Sequence, residues 1–496
     1  MTSTSSSRLH DVVIAGAGPV GLFLACELAL AKLDVLVLER AESPEAPLKA
    51  PPLGTRGLSV ATAEALHRRG LLDELIAAGA ARQPQAGHFA GIAIDATRID
   101  RSGWKYRLPN PASNPFAADM GSVESVLAAR AVALGVDIRR GQAVTGIDDH
   151  GDEVTVHAGG LSFHAKWLVG CDGGRSAVRK LADFEFPGTE PEFTAYSALV
   201  DIADPQKLRP GRNATPAGFY MNEPGRIAIA DFDGGAFDRS EAITPDHLQA
   251  VLRRVSGTDV TLASVHLATS FTDRARLAAT YRKGRVLLAG DAAHIHSALG
   301  GQGLNAGLGD AMNLGWKLAA TVRGSAPAGL LDTYHAERHP VGEWVLDWTR
   351  AQAAVMRPDA HGRALEGIVR GLADTPGGAT WFAEQLWGVS LHYDLGGGHP
   401  LVGCSAPDVE FVDGSRLAFH LRAGVGVLVD FDGTGPLRQA IAGWSDRIGY
   451  VAAGATSQLG LSAMLVRPDG FVGWASDAAA APGDVEPAAM RWFGLQ

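Results

Sequence analysis

Cysteine is scarce: Cys26, Cys171 and Cys404 are the only three in 496 residues, far apart and without a Cys-x-x-Cys pair. That excludes a disulfide framework and a cysteine-rich metal site, and suits a reducing compartment, so a cytoplasmic protein is expected. Basic charge is short as well. The 44 Lys and Arg against 54 Asp and Glu leave a net charge of −10, which argues against nucleic acid or an anionic membrane surface as a partner. Neither Gly-x-Ser-x-Gly nor His-Glu-x-x-His occurs, so no nucleophile elbow and no zinc-hydrolase helix is expected. The opening Met1-Thr-Ser-Thr-Ser-Ser-Ser7 has neither the basic nor the apolar segment of a signal peptide. Val12 to Leu38 is the stretch most like a membrane span, but three glycines, Pro19, Glu27, Lys32 and Asp34 interrupt it.

What is present is an ordinary globular composition, 46% hydrophobic and 20% charged, in a chain long enough for roughly two to three domains. Val12 to Ala15 is an unbroken apolar run, the pattern of a strand buried on both faces of a parallel sheet. Gly16-Ala-Gly18-Pro19-Val-Gly21 follows, and then a helix to Ala31. Gly16 permits a tight turn, and Gly18 lets a pyrophosphate approach the backbone. Gly21 lets the helix pack closely with its free N–H groups toward the phosphates. Val35 to Leu38 is a second buried strand ending in Glu39, 18 residues after Gly21, where an acid accepts hydrogen bonds from a ribose diol. Strand, turn, helix and acid together predict a dinucleotide site.

Two more turns follow apolar runs. Trp167 to Gly170 leads into Cys171-Asp172-Gly173, and Arg285 to Ala289 into Gly290-Asp291. Gly300 to Gly303 then opens a helix with Leu304, Leu308, Ala311, Leu318 and Val322 on one stripe. An acid at the strand end suits the hydroxyls of a ribityl chain. The helix opening at Gly303 aims its positive end, with the N–H groups of Leu304 and Asn305, at whatever lies beyond. A flavin pyrimidine edge gains there on becoming anionic, by about 0.3–1 kcal/mol when exposed and up to about 2 when partly buried. A nicotinamide ring has no such edge, so FAD rather than NAD is expected.

Elsewhere the pattern predicts helices over 59–69, closed by Gly70, over 122–134, closed by Gly135, and over 245–255. Strands are expected at 88–99 and 104–108, and half-exposed ones at 136–139 and 154–156. From Phe193 to Phe271 strand-like runs dominate, at 196–200, 218–221, 226–232 and 265–271, which reads as a mostly antiparallel sheet inserted into the nucleotide fold. Trp344, Trp348 and Trp381 lie on long helices as core or interface residues, and Cys404 reads as a buried small hydrophobe. Leu395 to Gly398 looks like a linker; strand, helix and strand follow, with runs at 426–429 and 462–467 and a turn at Pro468-Asp469-Gly470. Phe89, Tyr220, Met221, Phe232 and Ala298 are candidates to line a substrate pocket. His294 and His296 read as local structure rather than a metal pair, so no metal is expected. Arg175 and Arg179 are open between plain surface charge and contact with an NADPH phosphate.

The three fingerprints in this order resemble those of the single-component, class A flavoprotein aromatic hydroxylases, whose prototype is para-hydroxybenzoate hydroxylase. The run His294-Ile-His296, then Gly300-Gly-Gln-Gly303-Leu304-Asn305-Ala-Gly-Leu-x-Asp310, ending Trp316-Lys317-Leu318, is especially similar to the polyketide-tailoring and antibiotic-modifying branch. The resemblance implies an α/β chain with a Rossmann-like FAD-binding domain in segments 8–86, 119–182 and 275–394. It further implies an inserted, mostly antiparallel β substrate domain at 87–118 and 183–274, and a thioredoxin-like C-terminal domain at 395–496, redox-inert without its cysteine pair. Carried over position by position, Gly16, Gly18, Pro19, Gly21, Glu39, Arg40, Arg56, Met120, Val144, Asp172, Gly290, Asp291, Gly301, Gly303, Leu304 and Asn305 become the cofactor contacts. Glu39 matches the ribose acid, Asp172 a motif serving FAD and transient NADPH, Asp291 the ribityl contact, and Leu304 and Asn305 the donors to the pyrimidine edge. Two positions depart: Ala298 stands where the family usually has proline, and Met120 where it often has glutamine, four residues before Glu124.

The implied reaction uses NADPH or NADH to reduce FAD; O₂ then forms a flavin 4a-hydroperoxide that transfers one oxygen atom to a large aromatic molecule. No side-chain nucleophile is required. Hydroxylation and Baeyer–Villiger insertion stay open, as does a flavin-holding protein that sequesters an aromatic ligand without turnover. A flavin reductase or halogenase on this scaffold is the other enzymatic alternative, although the halogenase Trp-x-Trp-x-Ile-Pro segment does not occur.

Overall fold

The first apolar run lies in the middle of an eight-stranded sheet. The computed structural model describes residues 8–82, 86–433, 436–457 and 459–495; the polar segment 1–7 lies outside the described residues. Strand β1 (Leu9–Ala15) leads through the first glycine turn into helix α1 (Pro19–Leu30) and strand β2 (Val35–Glu39). Helix α1 is apolar all round and almost wholly buried, as befits a helix enclosed between a sheet and further helices. Strand β3 (Thr55–Leu58) precedes helix α2 (Val60–His67), whose N-cap is Ser59 and whose exit is turned by Gly70 at φ 72°.

The long strand expected at 88–99 is instead a tight hairpin of β4 (His88–Phe89) and β5 (Ile92–Ala93), followed by a 3₁₀ turn at Ala96–Arg98. Ala90 and Gly91 both take positive φ, 51° and 85°, which folds the chain back, and the Asp95 carboxylate then accepts the Thr97 N–H. No strand forms at 104–108 either. Trp104 Nε1 donates to Glu384 at 2.6 Å and Arg107 to Glu64 at 2.7 Å, so tertiary bonds replace a ladder.

Strand β6 (Phe116–Asp119) pairs with β3, and Asp119 caps helix α3 (Met120–Ala133). Strand β7 (Asp137–Arg140) adds in parallel to β2, and β8 (Leu161–Gly170) in parallel to the other side of β1, before helix α4 (Ala177–Leu181).

A five-stranded antiparallel sheet follows, built of β9 (Thr194–Ile202), β10 (Gly211–Thr215), β11 (Gly218–Glu223), β12 (Arg226–Asp231) and, after helix α5 (Pro245–Ser256), β13 (Leu262–Thr272). Its order is β10-β11-β12-β9-β13. Strand β10 was not anticipated because its Gly-Arg-Asn-Ala-Thr sequence is that of a polar edge. Helix α5 presents Leu248, Val251, Leu252 and Val255, one stripe at helical spacing, to one face of this sheet.

Strand β14 (Val286–Leu288) returns to the first sheet beside β8. Helices α6 (Gln302–Arg323), α7 (Asp332–Met356) and α8 (Pro376–Trp387) follow. The C-terminal part carries a mixed sheet in the order β16-β15-β17-β18, from β15 (Gly426–Asp430), β16 (Ile448–Ala452), β17 (Ala463–Val466) and β18 (Val472–Ser476), with helix α9 (Pro482–Phe493) packed on it. Gly470, at φ 83°, turns β17 into β18 where the Pro-Asp-Gly motif was expected. None of the described helices is long and apolar enough to cross a membrane.

Buried charges fasten this part to the rest. Arg467, wholly buried, donates to Glu337 of α7 at 2.7 and 2.9 Å, and Arg69 donates to Glu27 and to the carbonyls of Leu421 and Pro468. Burial pushes the Glu337 carboxyl up, but Arg467 and Lys317 beside it outweigh that and hold it at about 2 against the usual 4.5. A depressed carboxylate contributes stability that is present above pH about 4.5 and lost as pH falls toward about 2. In that window the fluorescence of Trp316 and Trp492, whose rings flank Arg467, is expected to report loosening of the joint. Glu337→Gln is expected to lower stability at neutral pH and to shrink the acid transition.

Candidate functional site

The three glycines of the first turn divide the work. Gly16 sits at φ +106°, and a Cβ on it would overlap the Cys171 carbonyl; a Cβ on Gly21 would overlap the Gly16 carbonyl oxygen. A Cβ on Gly18 would meet nothing within 4 Å. Two of the glycines therefore hold strand, helix and second turn together, and the third faces open space. Pro19 opens α1, and Gly18 at its N-cap makes no side-chain bond, so the first N–H groups of the helix are unspent. Glu39 is fixed beside them: its Oε2 accepts the Ala17 N–H at 2.7 Å and its Oε1 the Ala41 N–H at 2.8 Å. Arg40 is exposed beyond it, and Val144 lies half-buried against the core of the first sheet.

Arg56 donates to the carbonyls of Leu53 and Thr55 at 2.8 and 3.0 Å, and the Met120 N–H donates to Gly54 at 3.0 Å. One turn along α3, Glu124 receives Lys49 at 2.5 Å.

The second and third turns are tied to each other. Asp172 caps α4, its carboxylate accepting from Ser176 Oγ and from the N–H groups of Ala177 and Val178. Arg179 fits neither of the roles left open for it. It is buried, stacks 3.9 Å over Phe186, and donates to Gly174 and Ala292 at 2.9 Å, stapling the second turn to the third. Arg175 remains exposed.

Gly290, at φ +61°, donates its N–H to Asp310 at 2.9 Å. Asp291 stands exposed, and Gly303 is the point where the His296 ring and Asp291 crowd the start of α6, with a Cβ there 3.2 and 3.7 Å from their nearest atoms. Helix α6 opens at Gln302, one residue earlier than expected. Gly300 and Gly301, at φ 79° and 68°, turn the chain into it, and Gly301 as N-cap makes no side-chain bond. Leu304 is half-buried in the first turn. The Asn305 side chain accepts from the Ser59 N–H and donates to Gly57 and Gly301, clamping the third turn to the segment that carries Arg56. Ala298 takes φ −69°, a value a proline ring would also allow.

Behind this loop lies a buried network of which only His294 and Asp310 belong to the motif quoted above. Asp310 accepts from His294 Nε2 at 2.8 Å and Arg338 Nε at 2.7 Å, and Arg338 continues to Tyr393 Oη and the Ala306 carbonyl. Burial pushes the Asp310 carboxyl up, yet Arg338 and His294 more than reverse it, so the acid is held ionised. His296 is pulled down by burial, against the opposing charge of Asp291.

The antiparallel sheet turns its second face toward the loop. Pairing of Phe219 with Ala230, Met221 with Ala228 and Ala195 with Ala230 sets these residues on one side and Tyr220, Tyr196 and Ile229 on the other. Tyr220 therefore does not stand on the face turned toward the loop. Strand alternation buries it against α5, its hydroxyl accepting the Arg209 N–H, whereas Met221 faces the open side. Phe232 packs on Phe193 at 5.3 Å, in a cluster with Phe219, Phe271, Leu299 and Met356 that joins sheet, loop and α7. Phe219 and Phe271 escaped the sequence reading; counting by twos from Met221 would have found the first.

Phe89 lies in an aromatic cluster, 4.7 Å from Trp348 and 5.2 Å from Phe382. Trp344 stacks on Trp348, and Trp381 is half-exposed rather than core. Gln352 accepts the Ala90 N–H at 2.9 Å and reaches the Leu299 carbonyl at 3.4 Å, linking hairpin to loop. Beside Gly300 the buried Trp348 indole N–H has no partner among the described residues, and neither does the Ser297 hydroxyl.

With this geometry in hand, the comparisons are consistent along the whole chain. Residues 10–349 match the family model described as an FAD binding domain, and residues 399–495 the one described as the C-terminal part of aromatic-ring hydroxylases. The chain is 45% identical to a monooxygenase of Claviceps purpurea over 99% of both chains. It is 39% identical to the rifampicin monooxygenase of Streptomyces venezuelae over 95% of this chain and 96% of the other. The solved structure of the anhydrotetracycline hydroxylase OxyS from Streptomyces rimosus superposes with a TM-score of 0.86 at 36% identity, covering 98% of this chain and 100% of that one.

Proposed function

The chain belongs to the FAD-binding aromatic-ring hydroxylases, flavoprotein monooxygenases, and from that premise we propose that it transfers one atom of O₂ to a large, polyketide-like aromatic molecule at the expense of NAD(P)H. The observation that carries the reading is the cradle at Gly18. It lies open while Gly16 and Gly21 are closed, and is flanked by the uncapped start of α1 and the fixed carboxylate of Glu39. These residues fit a dinucleotide. Gly16, Gly18, Pro19 and Gly21 would hold the pyrophosphate and Glu39 the ribose; Asp291 would take the ribityl chain, and Gly301, Gly303, Leu304 and Asn305 the pyrimidine edge. Arg40, Arg56, Met120, Val144, Asp172 and Gly290 complete the proposed contacts.

When bound, FAD supplies the electron transfer from NAD(P)H to O₂ and the oxygen transfer to the ring. The protein's part is positioning and dryness. The Asp310 network fixes the loop at Gly290 and His294, the aromatic walls exclude water, and the spare donors of Trp348 and Ser297 stand ready to orient an oxygen of the substrate. We further propose the division already given, with an inserted substrate domain and a thioredoxin-like C-terminal domain. In that division the ladder between 116–119 and 55–58 joins the end of the first substrate segment to the first nucleotide-binding segment.

Anhydrotetracycline, named for a relative's substrate, is a suitable first probe alongside a panel of polycyclic phenols. NADPH oxidation is expected to rise severalfold with a productive aromatic, with a product heavier by one oxygen. Ligand binding without NADPH consumption across the panel would leave a sequestering protein instead. Asp291→Ala is expected to weaken FAD retention, and a purified variant as yellow as the parent removes the role given to Asp291.

A further inference from the structure

The sheet face opposite α5 is not fully covered. Ser197 and Leu199 of β9, Met221 of β11 and Ala228 of β12 stay half-exposed on it, while Ala198, Val200, Tyr220, Ile227 and Ile229, which alternate with them, are buried. With Ala195 and Ala230 they make a shallow floor of mostly small, apolar side chains, wide enough for a flat ligand. One end of this floor, at Ala195 and Ala230, joins Leu299 of the loop before α6.

The other end is cationic. Arg226 lies on the same face, four residues from Ala230 along β12, which is about 13 Å at about 3.3 Å per residue and the length of several fused rings. Its Nε is buried without a partner among the described residues, and its Nη1 is 3.7 Å from Glu223. Arg212 pairs across from Met221 on this face, its stem beside Gly91 of the hairpin. Burial, and then the charge of Arg226, depress Arg56, whose guanidinium is engaged by the Leu53 and Thr55 carbonyls. Glu223 is the acid that faces Arg212 and Arg226. His88, held at about 4 by burial and by Arg212, adds no charge at neutral pH. Two guanidinium groups, Arg212 and Arg226, thus face one carboxylate.

We propose that the chamber takes a planar polycyclic aromatic acid whose ionised group (carboxylate, phenolate or enolised dicarbonyl) is held by Arg212 and Arg226. The ring to be oxidised then lies at the opposite end, beside the Leu299–Gly301 loop. This rests on the monooxygenase reading above and deepens it: acidic group and reacting carbon sit at opposite ends of the substrate. Guanidinium recognises such anions through paired, charge-assisted hydrogen bonds, which a neutral analogue forfeits.

The test is equilibrium binding to the FAD-loaded chain of two probes matched in shape, anthracene-2-carboxylate and its primary amide. The carboxylate is expected to bind about tenfold or more tightly than the amide, with the preference shrinking at high salt. Arg212→Gln with Arg226→Gln is expected to erase the preference while leaving amide affinity and FAD content unchanged. Each single variant, reducing it in part, covers the case in which the double variant does not fold. Equal binding of the probes, binding of neither, or a preference that survives the substitutions overturns the assignment. So does an effect confined to the KM for NADPH, since a nucleotide phosphate would then be the anion. The monooxygenase reading fails separately, if no aromatic stimulates NADPH oxidation while the carboxylate preference stands.

Discussion

Replacing Asp310 with alanine is expected to cost on the order of 3–5 kcal/mol of stability, the scale for breaking a buried charge pair from one side. Asp310 is wholly buried and receives three donors: the Gly290 N–H, His294 and Arg338. Alanine would leave the Arg338 guanidinium, itself 2% exposed, with only the Tyr393 hydroxyl and the Ala306 carbonyl, and no counter-charge. The His294 ring would lose its bond to Asp310, and its Nδ1 has no partner among the described residues. The loss extends past stability, because the Gly290 N–H and the His294 ring anchor both ends of the third turn. Urea denaturation should show the lowered midpoint, and FAD content at purification should fall with it. A variant that keeps the parent's midpoint would mean that Arg338 finds another acid and that the network is not what holds the loop. Asp310→Asn, which keeps the shape and one acceptor, is expected to fall between the two.

What could be read beforehand follows from which interactions are local. The first turn declares itself because strand, turn and helix are consecutive. Gly16 and Gly21 are required by a clash within ten residues of sequence or at the end of a neighbouring parallel strand, and Glu39 follows at the end of the next strand. The stripe of α5 and the turn at 468–470 are local in the same sense. Register on a single strand is equally legible once one residue is placed, but a list of apolar pocket candidates such as Phe89, Tyr220, Met221 and Phe232 does not apply it. That is why Met221 and Tyr220 were grouped although strand alternation sends them to opposite faces.

The remainder is tertiary. Ala90 at positive φ cannot be foreseen from alanine, and the hairpin it makes is held by Gln352, 262 residues later. Arg179 resembles a surface charge until Phe186 and the Ala292 carbonyl are seen beside it. The network of Asp310, His294, Arg338 and Tyr393 draws on four separate stretches, and only the motif around Asp310 marked any of them. The departure at Ala298 illustrates the converse: the family's proline is missing there, yet φ −69° is compatible with one.

A pair of single-methyl substitutions separates folding from cofactor binding at the first turn. In Gly21→Ala the added methyl meets the Gly16 carbonyl oxygen, with the Cys171 side chain 3.2 Å away, so strand β1, helix α1 and the second turn cannot keep their spacing. The obstacle is backbone and cannot rotate aside. Overpacking of this kind costs typically about 1–3 kcal/mol and can exceed it where backbone must move. The expected protein is destabilised and colourless. In Gly18→Ala the methyl projects into open space from a residue at φ −76°, a conformation alanine adopts freely, and an N-cap glycine has no side-chain bond to lose. Its thermal midpoint should stay close to the parent's. Its FAD affinity, however, should fall by about tenfold or more, because the methyl occupies the space a pyrophosphate needs against the backbone. Thermal denaturation and flavin absorbance on the same two samples decide the matter. If Gly18→Ala retains FAD as firmly as the parent, the open side of that turn is not where the dinucleotide lies, and the arrangement built upon it must be drawn elsewhere.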